Sequence, residues 1–201
     1  MDSINPSVLT LIREDYRANG SDWHRPGFRA LATYRYGVWR MSFKYRIVRI
    51  LLGLFYKPCQ RRCMRVYGIE LPYSATIGRH VTIEHQHGIV VHGASVIGDG
   101  CIIRQGVTLG IRDEKSLDRA PRLGKRVSVG AGAKILGDVT IGDDAKIGAN
   151  AVVLCDVPDG QTAVGIPARV ICKNTHSGRA GFGDDGSDSQ HASPSINEAI
   201  A

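Results

Sequence analysis

Four histidines fall within thirteen residues, His80, His85, His87 and His92, and one of them directly follows an acid, as Glu84-His85. Imidazole titrates near neutrality, so such a cluster suits two kinds of chemistry. Several rings can share a metal ion, or one ring can take the proton of a hydroxyl as its oxygen attacks an electrophile. A second polar group follows in the run IRDEKSLDRAPR, from Ile111 to Arg122, where Asp118 and Arg119 stand side by side. Which chemistry is possible depends on how the chain brings these groups together.

What positions them is a period of six. An aliphatic residue returns at Ile77, Ile83, Ile89, Ile97, Ile103, Leu109, Leu123, Val129, Ile135, Ile141, Ile147 and Val153, with one two-residue slip and one longer interruption. Seven of these twelve residues are followed directly by Gly, and the fifth place of most hexads is small or aliphatic, as in Val81, Cys101, Ala133 and Ala151. A period of six fits neither a helix nor the alternation of an isolated strand. It fits a coil of short strands and turns in which one aliphatic per hexad joins a continuous inward ladder, the hexapeptide pattern of a parallel β-helix. A sandwich of unrelated strands would place its turns irregularly, about every eight to twelve residues. The pattern leaves the hand of the coil open.

The coil bears on the chemistry. Metal ligands in such a fold should come from stacked turns, yet all four histidines lie within less than one coil of eighteen residues and the later coils contain none. No metal is therefore expected, and general-base chemistry fits better. The run from Ile111 to Arg122 is a polar excursion from a regular solenoid, the place where specificity is usually carried.

The segments ATIGRHVTIEHQHGIVV, IIRQGVTLG, VGAGAKILGDVTIGDDAKIGANAVVL and VGIPARV resemble the left-handed β-helix acyltransferases. Within them the chain is similar to the serine acetyltransferase group and its bacterial exopolysaccharide (colanic-acid-type) O-acetyltransferase relatives. The resemblance is strong from Leu71 to Lys173 and weaker in EDYRANG and GFRALATYRYGVW. It implies a mainly β protein built on a left-handed parallel β-helix with three hexads per coil. It also implies a homotrimer, acetyl-CoA as donor without a metal, and active sites between neighbouring subunits; pairing into a dimer of trimers stays open. On this resemblance His85 is the general base and Glu84 its orienting partner. Arg119 and Asp118, with His87 and His92, are candidates for binding the acceptor. Backbone near Ala131, Gly132 and Ala149 holds pantetheine, and Arg169 and Lys173 face the nucleotide phosphates.

Three departures shape the expected acceptor. Where serine acetyltransferases carry Asp-Arg-His-Pro on the excursion, this chain has Asp118-Arg119-Ala120-Pro121, and alanine can neither bond a substrate nor orient a base. The helical part is only about seventy residues, and the chain ends at Ala201 rather than at isoleucine. Together they lead to the expectation of an acetyl-CoA-dependent O-acetyltransferase acting on a hydroxyl of a sugar or exopolysaccharide precursor. The alternative with the same chemistry is a serine O-acetyltransferase of cysteine biosynthesis. The alternative of another class is a non-catalytic trimeric scaffold.

The 201 residues, 43% of them hydrophobic, suffice for one substantial core and a small accessory domain. The expected division is a basic α-helical domain at 1–70, the β-helix at 71–173 with its excursion at 111–122, and a disordered Gly/Ser/Asp-rich tail at 174–201. Helices are expected from Ser7 to Asn19, from Pro26 to about Met41, and from Ser42 to about Tyr67, the last interrupted near Gly53 and Pro58. Residues 1–70 carry a charge of +8 and the remainder −1. Two roles fit the basic, apolar run FKYRIVRILLGLFYKP at 43–58. It can pack against the first coil and hide its open end, the preferred role, or lie on an anionic membrane through 43–57. No helix-turn-helix, zinc finger or aromatic RNA-binding motif accompanies the charge, so nucleic acid is not expected. The start MDSINPSVLTL does not read as a signal peptide and no run of eighteen apolar residues occurs. A cytoplasmic protein follows, peripheral at the inner membrane if the basic run meets lipid. Five cysteines without a regular framework suit a reducing compartment, and Cys59 and Cys63 read as ordinary helix residues.

Overall fold

The computed structural model describes residues 6–113 and 117–171. Three helices lead: α1 (Val8–Ala18), α2 (Pro26–Met41) and α3 (Arg46–Arg62), the last continuing into a π-helical turn at Cys63–Tyr67. Each starts or ends for a local reason. The Ser7 hydroxyl accepts the Thr10 amide at the start of α1, and Pro26, whose missing N–H costs nothing in a first turn, opens α2. The interruption expected near Gly53 and Pro58 does not occur, because α3 runs through both. The carbonyl left without an amide by Pro58 belongs to Leu54, on the solvent side where water can serve it.

The coil then begins. After β1 (Ile69–Glu70) come four coils of three strands each: β2 (Thr76–Ile77), β3 (Thr82–Glu84) and β4 (Ile89–Val91); β5 (Val96–Ile97), β6 (Ile102–Arg104) and β7 (Thr108–Gly110); β8 (Arg122–Leu123), β9 (Ser128–Val129) and β10 (Lys134–Leu136); β11 (Thr140–Ile141), β12 (Lys146–Ile147) and β13 (Val152–Val153). They form a parallel β-helix of three faces. The first face is β1-β4-β7-β10-β13, the second β2-β5-β8-β11, and the third β3-β6-β9-β12, extended by β14 (Thr162–Gly165) and β15 (Ala168–Ile171). Pairing is in register, aliphatic over aliphatic, as in Ile83 on Ile103 and Ile103 on Val129. All twelve periodic aliphatics are buried. Each contributes on the order of 1.5–3 kcal/mol by leaving water, and none could be buried by a single coil.

Side chains from the helices close the open end. Tyr34 Oη donates to the Ala75 carbonyl at 2.8 Å and accepts the Ile77 amide at 3.0 Å. Asn19 holds the Val81 carbonyl and the Ile83 amide, both at 3.0 Å. Arg35, buried and paired with buried Asp15 at 2.8 Å, donates to the carbonyls of Ile77 and Gly78. These are backbone groups that a first coil would otherwise leave bare. The end is thus covered by α1, α2 and the π-helical turn, and not, as expected, by the apolar run at 43–57. Instead α3 packs along α2, where the Tyr56 ring lies so close to Gly37 that a Cβ there would stand 2.5 Å from it.

Candidate active site

Along the edge where the third face passes into the first, four turns are stacked. Gly88, Gly106, Gly132 and Asn150 stack, and the residues just before them form one column: His87, Gln105, Ala131 and Ala149. The uppermost turn is two residues longer than the others, from Ile83 to Val91, and His85 lies in that addition. In the three lower turns a single residue is left-handed: Gly106 at φ 73°, Gly132 at 74° and Asn150 at 56°. The uppermost turn has three, His85 at φ 66°, His87 at 75° and Gly88 at 72°. For a histidine this conformation costs about 1–2 kcal/mol, and such outliers persist where their surroundings hold them, often at functional sites. The edge is bonded turn to turn: Gly106 N–H donates to His87 O, Gly132 N–H to Gln105 O and Asn150 N–H to Ala131 O, at 2.8–2.9 Å. A Cβ on Gly106 would meet the Gly132 Cα at 3.1 Å, and one on Gly132 would meet Asn150 Oδ1 at 2.0 Å. Below His85, therefore, runs a groove walled by backbone and very small side chains.

His85 is exposed and lines a cavity of about 680 Å³ with Glu84, Gln86, Ile83 and the first residues of α2, Arg25, Pro26 and Gly27. Gly27 permits this: a Cβ there would stand 2.4 Å from the Ile83 carbonyl oxygen. No hydrogen bond holds the His85 imidazole among the described residues. In particular, the Glu84 carboxylate lies on Arg104 at 2.9 Å, one coil below, rather than on His85. The orienting contact expected from their adjacency is thus absent in the single chain. Adjacent residues project differently, whereas Glu84 and Arg104 stand in register on neighbouring strands.

The other expected residues divide between edges. His87 is exposed on the same edge as His85, with its amide donating to the Tyr67 carbonyl. Ala131, Gly132 and Ala149 fall on this edge too. His92 belongs to the next one, between the first and second faces, where its Nδ1 accepts the Ala94 amide at 3.3 Å. That edge also carries the excursion, in which Asp118 and Arg119 are exposed and Ala120 is buried at 1%. Arg119 shares a pocket of about 290 Å³ with Arg112, Asp113, Gly137 and Asp138. Within one chain, then, the described residues of the excursion do not meet His85. Arg169 is exposed on β15 beside Val164, and Lys173 lies outside the described residues. Among the described residues no group of His, Cys, Asp and Glu could hold a metal ion.

Several residues of the site have no motif to announce them. Arg104 was within reach of counting, since it lies one coil beyond Glu84. Gln105, below His87 in the column, has a buried Oε1 without a hydrogen-bond partner among the described residues. Arg25 and Gly27 join the cavity only because α2 docks there.

The comparisons with known proteins bear on this geometry. Residues 120–155 match the family model described as bacterial transferase hexapeptide (six repeats). A serine acetyltransferase of Helicobacter pylori is 45% identical over 174 residues, a match covering 84% of this chain and 96% of that protein. The chain belongs to the serine acetyltransferase group of hexapeptide-repeat acyltransferases. A second member of the group, the serine acetyltransferase of Synechococcus elongatus, is 40% identical over 149 residues, covering 74% of this chain but 58% of that protein. Among solved structures, the serine acetyltransferase of Brucella abortus in complex with coenzyme A superposes with a TM-score of 0.70 at 31% identity, over 83% of this chain and 68% of that one.

These relatives overturn the expected sugar or exopolysaccharide acceptor, and with it the closeness to exopolysaccharide O-acetyltransferases. A short helical part is no argument against the serine acetyltransferase group, since the H. pylori protein is matched over nearly its whole length. Ala120 is packed inward in the chain, so its replacement of histidine weighs less than its sequence position suggested.

Proposed function

We propose that this protein is a serine O-acetyltransferase, moving acetyl from acetyl-CoA to the hydroxyl of L-serine. Support comes from the names of the relatives together with one structural observation: the His85 imidazole, without a hydrogen-bond partner among the described residues, lines a cavity at the upper end of the edge that carries the small residues Ala131, Gly132 and Ala149. Coenzyme A is bound by the B. abortus structure to which this chain is similar. In this protein its thioester would lie along the groove past Gly132, with Arg169 toward the phosphates.

As the serine Oγ bonds to the thioester carbonyl carbon, His85 takes the hydroxyl proton. The tetrahedral intermediate then collapses, the C–S bond breaks, and the CoA thiolate leaves and recovers the proton from the imidazolium. Attack by neutral hydroxyl alone would be slow, and general-base catalysis of this kind is worth about 10² to 10⁴ in rate. The serine carboxylate needs a cation, and Arg119 is suited to bind it in a two-pronged fashion. Since Arg119 and His85 occupy different edges of one chain, the complete site requires a neighbouring copy, as in a homotrimer that sets one copy's excursion against another copy's histidine edge.

The deciding experiment is CoA release from acetyl-CoA by purified protein, with L-serine in one series and sugars and nucleotide sugars in another. Turnover with serine and not with saccharides is expected. Turnover with saccharides alone would defeat the proposal.

A further inference from the structure

On α3 the residues Ile47, Ile50, Leu51, Leu54 and Phe55 follow the i, i+3, i+4, i+7, i+8 spacing of one helical face, and every one is exposed, from 56% for Leu51 to 73% for Phe55. The opposite face is the packed one, through buried Gly53 and Tyr56, with Arg40 stacked 4.8 Å from the Tyr56 ring. Tyr45, just before the helix, adds a further exposed ring. The apolar stripe is thus not spare core surface, because the helix already has its core side elsewhere.

The charges around the stripe are of one sign. From Ser42 to Gly68 there are seven basic residues, Lys44, Arg46, Arg49, Lys57, Arg61, Arg62 and Arg65, and no acidic one. By helical position Arg46, Lys57 and Arg61 flank one side of the stripe and Arg62 the other. No helix among the described residues is long and apolar enough to cross a membrane. A stripe of large apolar side chains bordered by cations, on a helix too polar to insert across a bilayer, matches a helix lying in the plane of an anionic lipid surface. Pairing two copies through the same face would set the four flanking cations of one against those of the other, a like-charge contact that costs rather than stabilises.

We propose that the exposed face of α3 docks the protein on the surface of an anionic phospholipid bilayer. Ile47, Ile50, Leu51, Leu54 and Phe55 enter the boundary between headgroups and acyl chains, and the flanking Arg and Lys side chains meet lipid phosphates. Binding should depend on anionic lipid and weaken with salt, since exposed charges are screened within about 8 Å at 0.15 M ionic strength.

The test uses the full chain and vesicles of phosphatidylcholine alone or with phosphatidylglycerol, read by flotation at low and high salt, beside the double variant L54E/F55E. The substituted residues are exposed and distant from the coil, and the variant's fold and oligomeric state are checked by melting and light scattering. Expected is flotation with phosphatidylglycerol vesicles, reduced by salt, absent with phosphatidylcholine alone, and weakened on the order of a hundredfold in L54E/F55E. Failure of the wild-type protein to float overturns the proposal. So does unchanged flotation of the variant, which would mean charge alone, and so does a smaller assembly in the variant, which would make the stripe an interface between copies.

Discussion

Two edges of the same prism are built on opposite plans. Below its longer uppermost turn, which carries His85, the histidine edge holds its turns at equal length and strips side chains away, through Gly106, Gly132 and Asn150, so that a long ligand can lie against backbone. The excursion edge abandons the repeat between β7 and β8 and projects charge, Asp118 and Arg119, beyond the coil. On the proposed function, a donor shared by many acyltransferases calls for the first plan and an acceptor peculiar to one enzyme for the second, so the two halves of the chemistry would be carried by surfaces that can vary independently.

The largest effect should come from the head of the first edge. His85→Ala is expected to lower kcat by about 10² to 10⁴ while leaving CoA binding, followed by calorimetry, as in wild type. A wild-type rate would remove His85 as the base. Next comes the second edge: Arg119→Ala should raise the KM for serine about tenfold to a hundredfold, the worth of a charge-assisted contact, with the KM for acetyl-CoA unchanged. Equal rises for both substrates would dissolve the division of labour. Mixing the two variants by joint refolding should restore part of the activity, because a shared interface can then pair an intact His85 with an intact Arg119; no recovery would place both groups in one chain's site.

Smaller effects sharpen the picture. Glu84→Gln should change kcat by less than about threefold, because its carboxylate serves a part-exposed pair with Arg104, a class worth about 1 kcal/mol or less. A hundredfold fall would instead restore the role of orienting His85. Smallest is a pH effect remote from both edges. Hydrogen bonds from Arg79 hold the Glu14 carboxyl below its ordinary 4.5. A carboxyl depressed by folding contributes fully above that value and loses its contribution as pH falls through the lowered one. Melting curves of Glu14→Gln and wild type should thus differ slightly at pH 7 and converge on acidification, and a gap that widened toward low pH would contradict the sign.

The coil was legible because its physics is periodic: a residue that must point inward at each sixth place leaves a mark that needs no partner to be read. Ala131, Gly132 and Ala149 came from the resemblance, and the register sets them on the histidine edge; counting would have carried Arg104 to Glu84. What escaped depends on contacts without a period. Nothing near Asn19 or Arg35 announces that they bond the first coil, more than forty residues away for Arg35, or that Asp15 is the buried partner of Arg35. The turn at His85 is two residues longer than those below it, eight residues from Ile83 to Val91 against six from Ile103 to Leu109, but Ile89 is buried too, so counting by sixes sets the slip after Ile89 instead. The sequence points to the wrong acceptor because two of its departures mislead: the chain turns Ala120 inward, and the short helical part is no mark of another family, since the H. pylori serine acetyltransferase is matched over 96% of its length.

The contrast between the ends of the coil has a consequence for solubility. A stack of identical rungs is in principle a seed: each end displays the strand edges onto which another stack could grow, as in fibrils. Here one end is plugged by Tyr34, Asn19 and Arg35, and at the other β15 runs antiparallel to β14 where every other pairing is parallel. That reversal presents an incoming rung with the wrong direction of chain. The protein can keep the most polymerisable of architectures and yet remain a discrete particle.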